Sequence, residues 1–325
     1  MANKSVDFGK IINRSWEVTL KNKWLWVIGI VLAVFGGGAG GTNLYSNFSN
    51  AQKGTNSATS SSQFTDVIGN LLKSVPVATW VLLVLGFILI ILFSVAVAWI
   101  IVSWAKGALI KGFDDAEKDK KVDLKILGSH GIASLKKLFI YNLISIGMFL
   151  AIMVGSLIVL FVLGVIFAFI PVVGVILMIP LWIIGFLGIF ILVVLFAMIS
   201  IYAERLIVLK NYSPWVAWKK GLSLSRGNFL HSLIMGIINT AIGCSVGCLS
   251  MLVLLIILGL PALLFAIPMF SGGSFHLPNI FQIIGIVVLV IFYFVANSVI
   301  RAFLIVFNYG NWNQLFWKVM KEELK

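Results

Sequence analysis

The feature that most restricts this chain is the recurrence of apolar blocks of about 18 residues or more, the length an α-helix needs to cross a hydrocarbon core roughly 30 Å thick. Blocks begin near Trp24, Val75, Leu138, Val172, Leu230 and Ile280. Composition agrees. Of 325 residues, 61% are hydrophobic and only 11% are charged, against roughly 25% charged in an ordinary soluble domain, and the mean hydropathy is +1.09. A water-soluble monomer is excluded. The pattern predicts an all-α polytopic transmembrane bundle of six spans, arranged as three hairpins, each preceded by an amphipathic interfacial helix.

The organisation follows from where the blocks stop. In residues 1–23, Phe8, Ile11, Ile12, Trp16, Thr19 and Leu20 recur at helical spacing, while Asp7, Lys10, Asn13, Arg14, Glu17 and Lys21 fill the other face. That is an interfacial helix lying among headgroups, with no apolar run and cleavage site of a secretory signal. Residues 24–105 form the first hairpin. Its opening span is the shortest and ends in a glycine cluster from Gly36 to Gly41, followed by a polar external loop, 42–74.

Residues 106–137 form a charged cytoplasmic connector and a second interfacial helix, in which Leu124, Leu127 and Leu135 alternate with Lys125, Lys136 and Lys137. Residues 138–202 form the second hairpin, with Pro171 and Gly174 as the only punctuation between its two apolar blocks. Residues 203–229 carry a third interfacial helix, with Ser213 at its N-cap and Pro214 at its first position. Residues 230–307 form the third hairpin, turning among Pro261, Pro268 and Pro278, and 308–325 are a cytoplasmic tail.

Charge sets the orientation. There are 24 Lys and Arg against 11 Asp and Glu, a net charge of +13, which in a soluble protein would suggest nucleic acid. Here every basic residue except Lys53, Lys73 and Arg301 falls in the four segments on the side of the two termini. By the positive-inside rule that side is cytoplasmic, which implies a multi-pass protein of the plasma membrane and no nucleic-acid partner. The basic segments would form a collar attracting anionic headgroups, at roughly 1 kcal/mol for each well-placed Lys or Arg. Membrane lipids are therefore the expected partners, beside a protein partner or a second copy of the chain.

The span exits Lys106-Gly107-Ala108-Leu109-Ile110, Ala203-Glu204-Arg205-Leu206-Ile207 and Arg301-Ala302-Phe303-Leu304-Ile305 can be laid over one another, so the hairpins read as three copies of one unit. Trp24-Leu25-Trp26 after Lys21-Asn22-Lys23, the glycine cluster behind the first span, and Glu204-Arg205-Leu206-Ile207-Val208 leading to Trp215-Val216-Ala217-Trp218 and Leu224-Ser225-Arg226-Gly227-Asn228-Phe229 also carry a likeness. In these the chain resembles bacterial six-span proteins related to the membrane domain of glycerophosphodiester phosphodiesterases. In the phosphodiesterases that region accompanies a soluble catalytic barrel. The resemblance implies a membrane module without the enzyme.

Ionisable residues inside spans are functional candidates because burying them is costly. Arg301 lies within the sixth block, aligns with Lys106 in the repeat, and has Glu204 at nearly the same depth. Glu204 with Arg301, Arg205 or Lys106 would tie hairpins together, or the same residues would bind a lipid phosphate or an anionic solute. Asn142, Ser145, Asn239, Thr240, Ser245, Asn297 and Ser298 would make interhelical hydrogen bonds, or line a path. Gly243 and Gly247, beside Cys244 and Cys248, form a small-residue face suited to close helix approach. The two cysteines, one turn apart, suit neither a disulfide nor zinc.

Asp114, Asp115, Glu117 and Asp119, mixed with lysines, read as a solvated connector because they lack the ligand spacing of a calcium loop. No His-Glu-x-x-His pair, Gly-x-Ser-x-Gly elbow, phosphate loop or intramembrane aspartate pair occurs, so catalysis, metals and cofactors are not expected. The expectation is a non-enzymatic lipid-interacting or scaffolding membrane module. The alternative is a small-solute transporter or channel, favoured by Arg301, the in-span polar residues and the glycine-broken first span.

Overall fold

The computed structural model describes residues 6–36, 76–168, 173–259 and 280–323, and among these it is all helix and short joints, with no strand. α1 (Phe8–Lys21) starts at Asp7, whose carboxylate accepts the Lys10 amide at 3.1 Å. That bond holds the Asp7 carboxyl below its ordinary range, as expected for an N-cap. Asn22 ends the helix by donating its side-chain amide to the Val18 carbonyl at 3.0 Å. α2 (Lys23–Phe35) then leaves at 97° to α1, and the Trp26 indole donates across the corner to the Thr19 carbonyl at 2.8 Å.

α3 (Val77–Glu117), α4 (Leu124–Ala168) and α5 (Val173–Lys210) follow, then the short α6 (Pro214–Gly227) and α7 (Phe229–Leu254). A π-helical turn, Leu255–Gly259, continues α7, and α8 (Ile280–Glu323) is the last element described. Among the described residues five helices are long and apolar enough to cross a membrane, or six spans if α1 and α2 count as one bent span. The chain is an all-α bundle of the multi-pass membrane kind. The polar loop 42–74, the turn at Pro171 and the turn at 261–279 lie outside the described residues.

Four helices are longer than a membrane requires. At 1.5 Å per residue, the 41, 45, 38 and 44 residues of α3, α4, α5 and α8 correspond to roughly 57–68 Å, about twice a hydrocarbon core. The packed core sits at one end of them. One cluster joins Ile11, Leu138, Tyr202, Leu206, Leu315 and Phe316, and another joins Leu25, Ile28, Leu109, Phe113, Leu127 and Val306. The most apolar 18-residue stretch of each long helix is by contrast only 0% to 11% buried.

This changes two expectations. The 106–137 connector is no separate interfacial helix: residues up to Glu117 continue α3, and Leu124 opens the helix that becomes the next span. Only the joint at 118–123 interrupts, where Asp119 takes a positive φ of 54°, and no proline lies between residues 124 and 168 to break the second helix. Residues 308–323 are likewise the continuation of α8. Leu315, Phe316 and Val319 are buried in it because they recur on the face that carries Trp312, and all four join one core cluster. Segments 8–21 and 214–227 do form separate helices, and α1 buries Ile11, Ser15, Val18 and Thr19 against the bundle while Trp16 and Leu20 stay exposed.

The acidic connector is also only partly solvated. Asp114 and Asp115 are buried, Asp114 beside Ile110 and Asp115 on another side of α3, because this stretch of the helix is covered nearly all round. Asp114 accepts from the Trp317 indole at 2.9 Å and from Lys118 at 2.8 Å. Asp115 meets Lys120 at 3.2 Å and His130 at 2.9 Å.

α2 approaches α8 through Gly29. A Cβ at Gly29 would stand 2.7 Å from the Ala302 carbonyl oxygen and 3.0 Å from a Val306 methyl. Because backbone cannot swing aside as a side chain does, Gly29→Ala is expected to lower stability by about 1–3 kcal/mol. Thermal unfolding in a mild detergent reads this, and an unchanged midpoint would show that the α2–α8 contact is looser than drawn.

Candidate functional site

The four basic and acidic candidates separate into two groups. Lys106 on α3 and Glu204 on α5 form an ion pair of 2.5 Å, with side-chain exposures of 23% and 9%. Arg205, the next residue, is buried and makes its contacts with α5 and α8. Its guanidinium donates to the Ile201 carbonyl at 2.9 Å and the Tyr309 carbonyl at 3.3 Å, and lies 5.6 Å from the centre of the Tyr309 ring. Lys106, Glu204 and Arg205 are therefore occupied with one another's helices, linking α3, α5 and α8.

Arg301 is not brought to them. It is half-buried on α8 and lines a cavity of about 750 Å³ between α7 and α8 that reaches Ala33 of α2 and Ile201 of α5. Among the described residues no carboxylate pairs with it. On α8, Asn297, Arg301, Leu304, Asn308 and Trp312 line the groove at helical spacing. On α7 the wall is Gly236, Asn239, Thr240, Gly243, Cys244 and Gly247, passing to Ser250, Met251 and Leu254.

The groove exists because the small-residue face of α7 meets no partner helix. Among the described residues nothing lies within 4 Å of where a Cβ would stand on Gly236, Gly243 or Gly247, so the face expected to bring helices together lines the groove instead. Near one end the Asn239 carbonyl accepts from the Asn311 amide at 2.8 Å, which joins α7 to α8. The Asn239 amide nitrogen has no partner among the described residues, although the residue is only 8% exposed. Asn308 and Asn297 each leave a side-chain oxygen without a partner in the same groove.

The other in-span polar residues divide similarly. Asn142 donates to Ser103 at 3.0 Å, bridging α4 and α3. Thr240, Ser245 and Ser298 bond back to their own helices, to the Gly236, Ala241 and Phe294 carbonyls. Asn308, Trp312 and Tyr293 were not among the sequence candidates. The signal that would have found them is the i, i+4, i+7 spacing that puts them on the face of Asn297 and Arg301.

Among the described residues no group of three or more His, Cys, Asp or Glu side chains is placed to hold a metal ion. Cys244 and Cys248 are both free and exposed. No protein-family model, no curated protein and no solved structure matches the chain. The resemblance drawn above therefore rests on the residues quoted for it.

Proposed function

We propose that the protein is a non-enzymatic module of the cytoplasmic membrane that binds and organises lipid, with both termini in the cytoplasm and its long-helix ends forming a basic face toward anionic headgroups. One observation carries this reading: a basic side chain, Arg301, faces an open groove between α7 and α8 without a carboxylate partner among the described residues, whereas Lys106 is matched by Glu204. The distribution of Lys and Arg along the sequence supports the orientation. Trp16, Leu20 and Trp24, exposed near the α1–α2 corner, suit the interface between chain and headgroup regions. The likeness to stand-alone relatives of the phosphodiesterase membrane domain supports a module without catalysis.

The test is lipid composition. Reconstituted in mixed bilayers of phosphatidylglycerol and phosphatidylcholine and then extracted gently, the protein is expected to carry phosphatidylglycerol above its share of the bilayer. Native mass spectrometry reads the ratio. A bound fraction equal to the bulk fraction would remove the lipid reading and turn attention to a protein partner.

A further inference from the structure

We infer that the α7–α8 groove is a seat for one phosphate-bearing anionic lipid, with its head between Arg301 and Asn239, beside the small-residue face of α7, and one acyl chain running on past Arg301 along Met251 and Leu254. This rests on the lipid reading above and makes it specific to a place and a stoichiometry.

Two independent observations point to a ligand. Arg301 presents a guanidinium into the groove with no carboxylate partner among the described residues. Such a group in apolar surroundings is stabilised best by an anion that accepts its fixed fork of donors, and phosphate does so bidentately. Asn239, more than nine-tenths buried, lines the same groove with its amide nitrogen unpartnered among the described residues. A buried donor left open costs free energy unless something occupies it.

The shape selects a lipid over a free anion. Asn239 pairs with Asn311, so that level lies toward the basic ends of the helices, and Arg301 sits about 15 Å further along α8. Thr240 and Asn308 line the stretch between, which makes it polar and the length of a headgroup with its linkage. Beyond Arg301 the lining is mainly Met251, Leu254 and Tyr293, with Asn297 and Ser250 as its polar members, and the eight residues back to Tyr293 add roughly 12 Å of helix. That is close to the half-thickness of a hydrocarbon core, about 15 Å. A water-soluble phosphate would leave this second half empty, while an acyl chain fills it, and Gly243 and Gly247, roughly 6 and 12 Å along α7 from Asn239, leave room for the headgroup and its linkage beside Arg301.

The experiment uses the full chain, delipidated in detergent, titrated separately with phosphatidylglycerol, phosphatidylcholine of the same chains, and inorganic phosphate, and read by native mass spectrometry. One tight phosphatidylglycerol adduct is expected, with phosphatidylcholine weaker and inorganic phosphate giving no stable adduct. Arg301→Gln should weaken that adduct by about ten-fold or more, the loss of one charge-assisted contact. Gly247→Phe should abolish it by filling the groove beside Arg301, where the headgroup linkage passes. Since nothing lies within 4 Å of Gly247 on that side, this variant keeps its folding midpoint and tests the seat apart from stability.

A second readout is local. In a Cys248→Ser background, Cys244, which lines the groove, should be protected from a thiol reagent by phosphatidylglycerol and not by inorganic phosphate. Retention of the single adduct at wild-type strength in both Arg301→Gln and Gly247→Phe overturns the seat. If bilayer enrichment of phosphatidylglycerol persists in that case, the general reading survives. Absence of any enrichment in the wild type removes both, and phosphate alone competing for the adduct would reassign the site to a soluble anion.

Discussion

Glu204→Leu is expected to destabilise the protein by about 3–5 kcal/mol, the cost of leaving one member of a buried ion pair without its partner. Lys106 then keeps an ammonium where its side chain is only 23% exposed, with no other carboxylate paired to it among the described residues. The double variant Lys106→Met/Glu204→Leu should recover most of the loss. Apolar replacements of similar volume remove the desolvation of both charges together, and such swaps are often neutral. Thermal unfolding of the two singles and the double in one detergent completes the cycle. A single variant as stable as the wild type, or a double as unstable as the worse single, would show that the pair does not join α3 to α5. The same cycle bears on function, because a structural pair leaves lipid binding unchanged once stability is restored.

The second large effect belongs to Asp114. Its carboxylate is 1% exposed and takes the Trp317 indole at 2.9 Å, Lys118 at 2.8 Å and Lys111 at 3.3 Å, so one residue at the end of α3 holds the end of α8. Asp114→Ala leaves a half-buried indole N–H without its acceptor and two lysines without their anion, and is expected to cost about 3 kcal/mol. Asp114→Asn retains an acceptor for the indole but loses the charge, and should cost about half of that. Adding Trp317→Phe should cost little in the Asp114→Ala background and clearly more in the wild type. Equal costs in the two backgrounds would mean that Trp317 and Asp114 contribute independently.

Much of the fold is legible in the sequence because helix spans announce themselves by length and apolarity. Where the spans end is less so. The Lys-rich stretch from 106 to 137 reads as a connector when judged by composition, yet the buried Leu109, Ile110, Phe113, Asp114 and Leu127 mark helix faces that continue past the apolar blocks. Asp114 was hidden for that reason: on its own helix it stands among Lys111, Glu117 and Lys118, and what marks it out is Trp317, brought to it from α8.

At the candidate site, laying the span exits over one another puts Lys106, Glu204 and Arg301 at nearly one depth, whereas Arg205, beside Glu204, meets Tyr309, eight residues or roughly 12 Å along α8 from Arg301. The choice of partner depends on how each helix is rotated and which neighbour it meets. The small-residue face of Gly243 and Gly247 illustrates this, since close packing needs a second surface, and here Arg301 and the asparagines of α8 line the opposite wall at a distance. What the sequence pattern supplies is the composition of a face. Its occupant depends on the rest of the bundle.

The placement of nearly all tight packing at one end has a mechanical consequence. The apolar lengths of the long helices are anchored at that end and bury little against each other elsewhere, so they can tilt outward or draw together as the stems of a bouquet do when held below. A bilayer of different thickness is then accommodated by changing the spread of the stems, at fractions of a kcal/mol per Å, with the knot undisturbed. The α7–α8 gap would widen or narrow with that spread, which would couple occupancy of the groove to the thickness of the surrounding membrane.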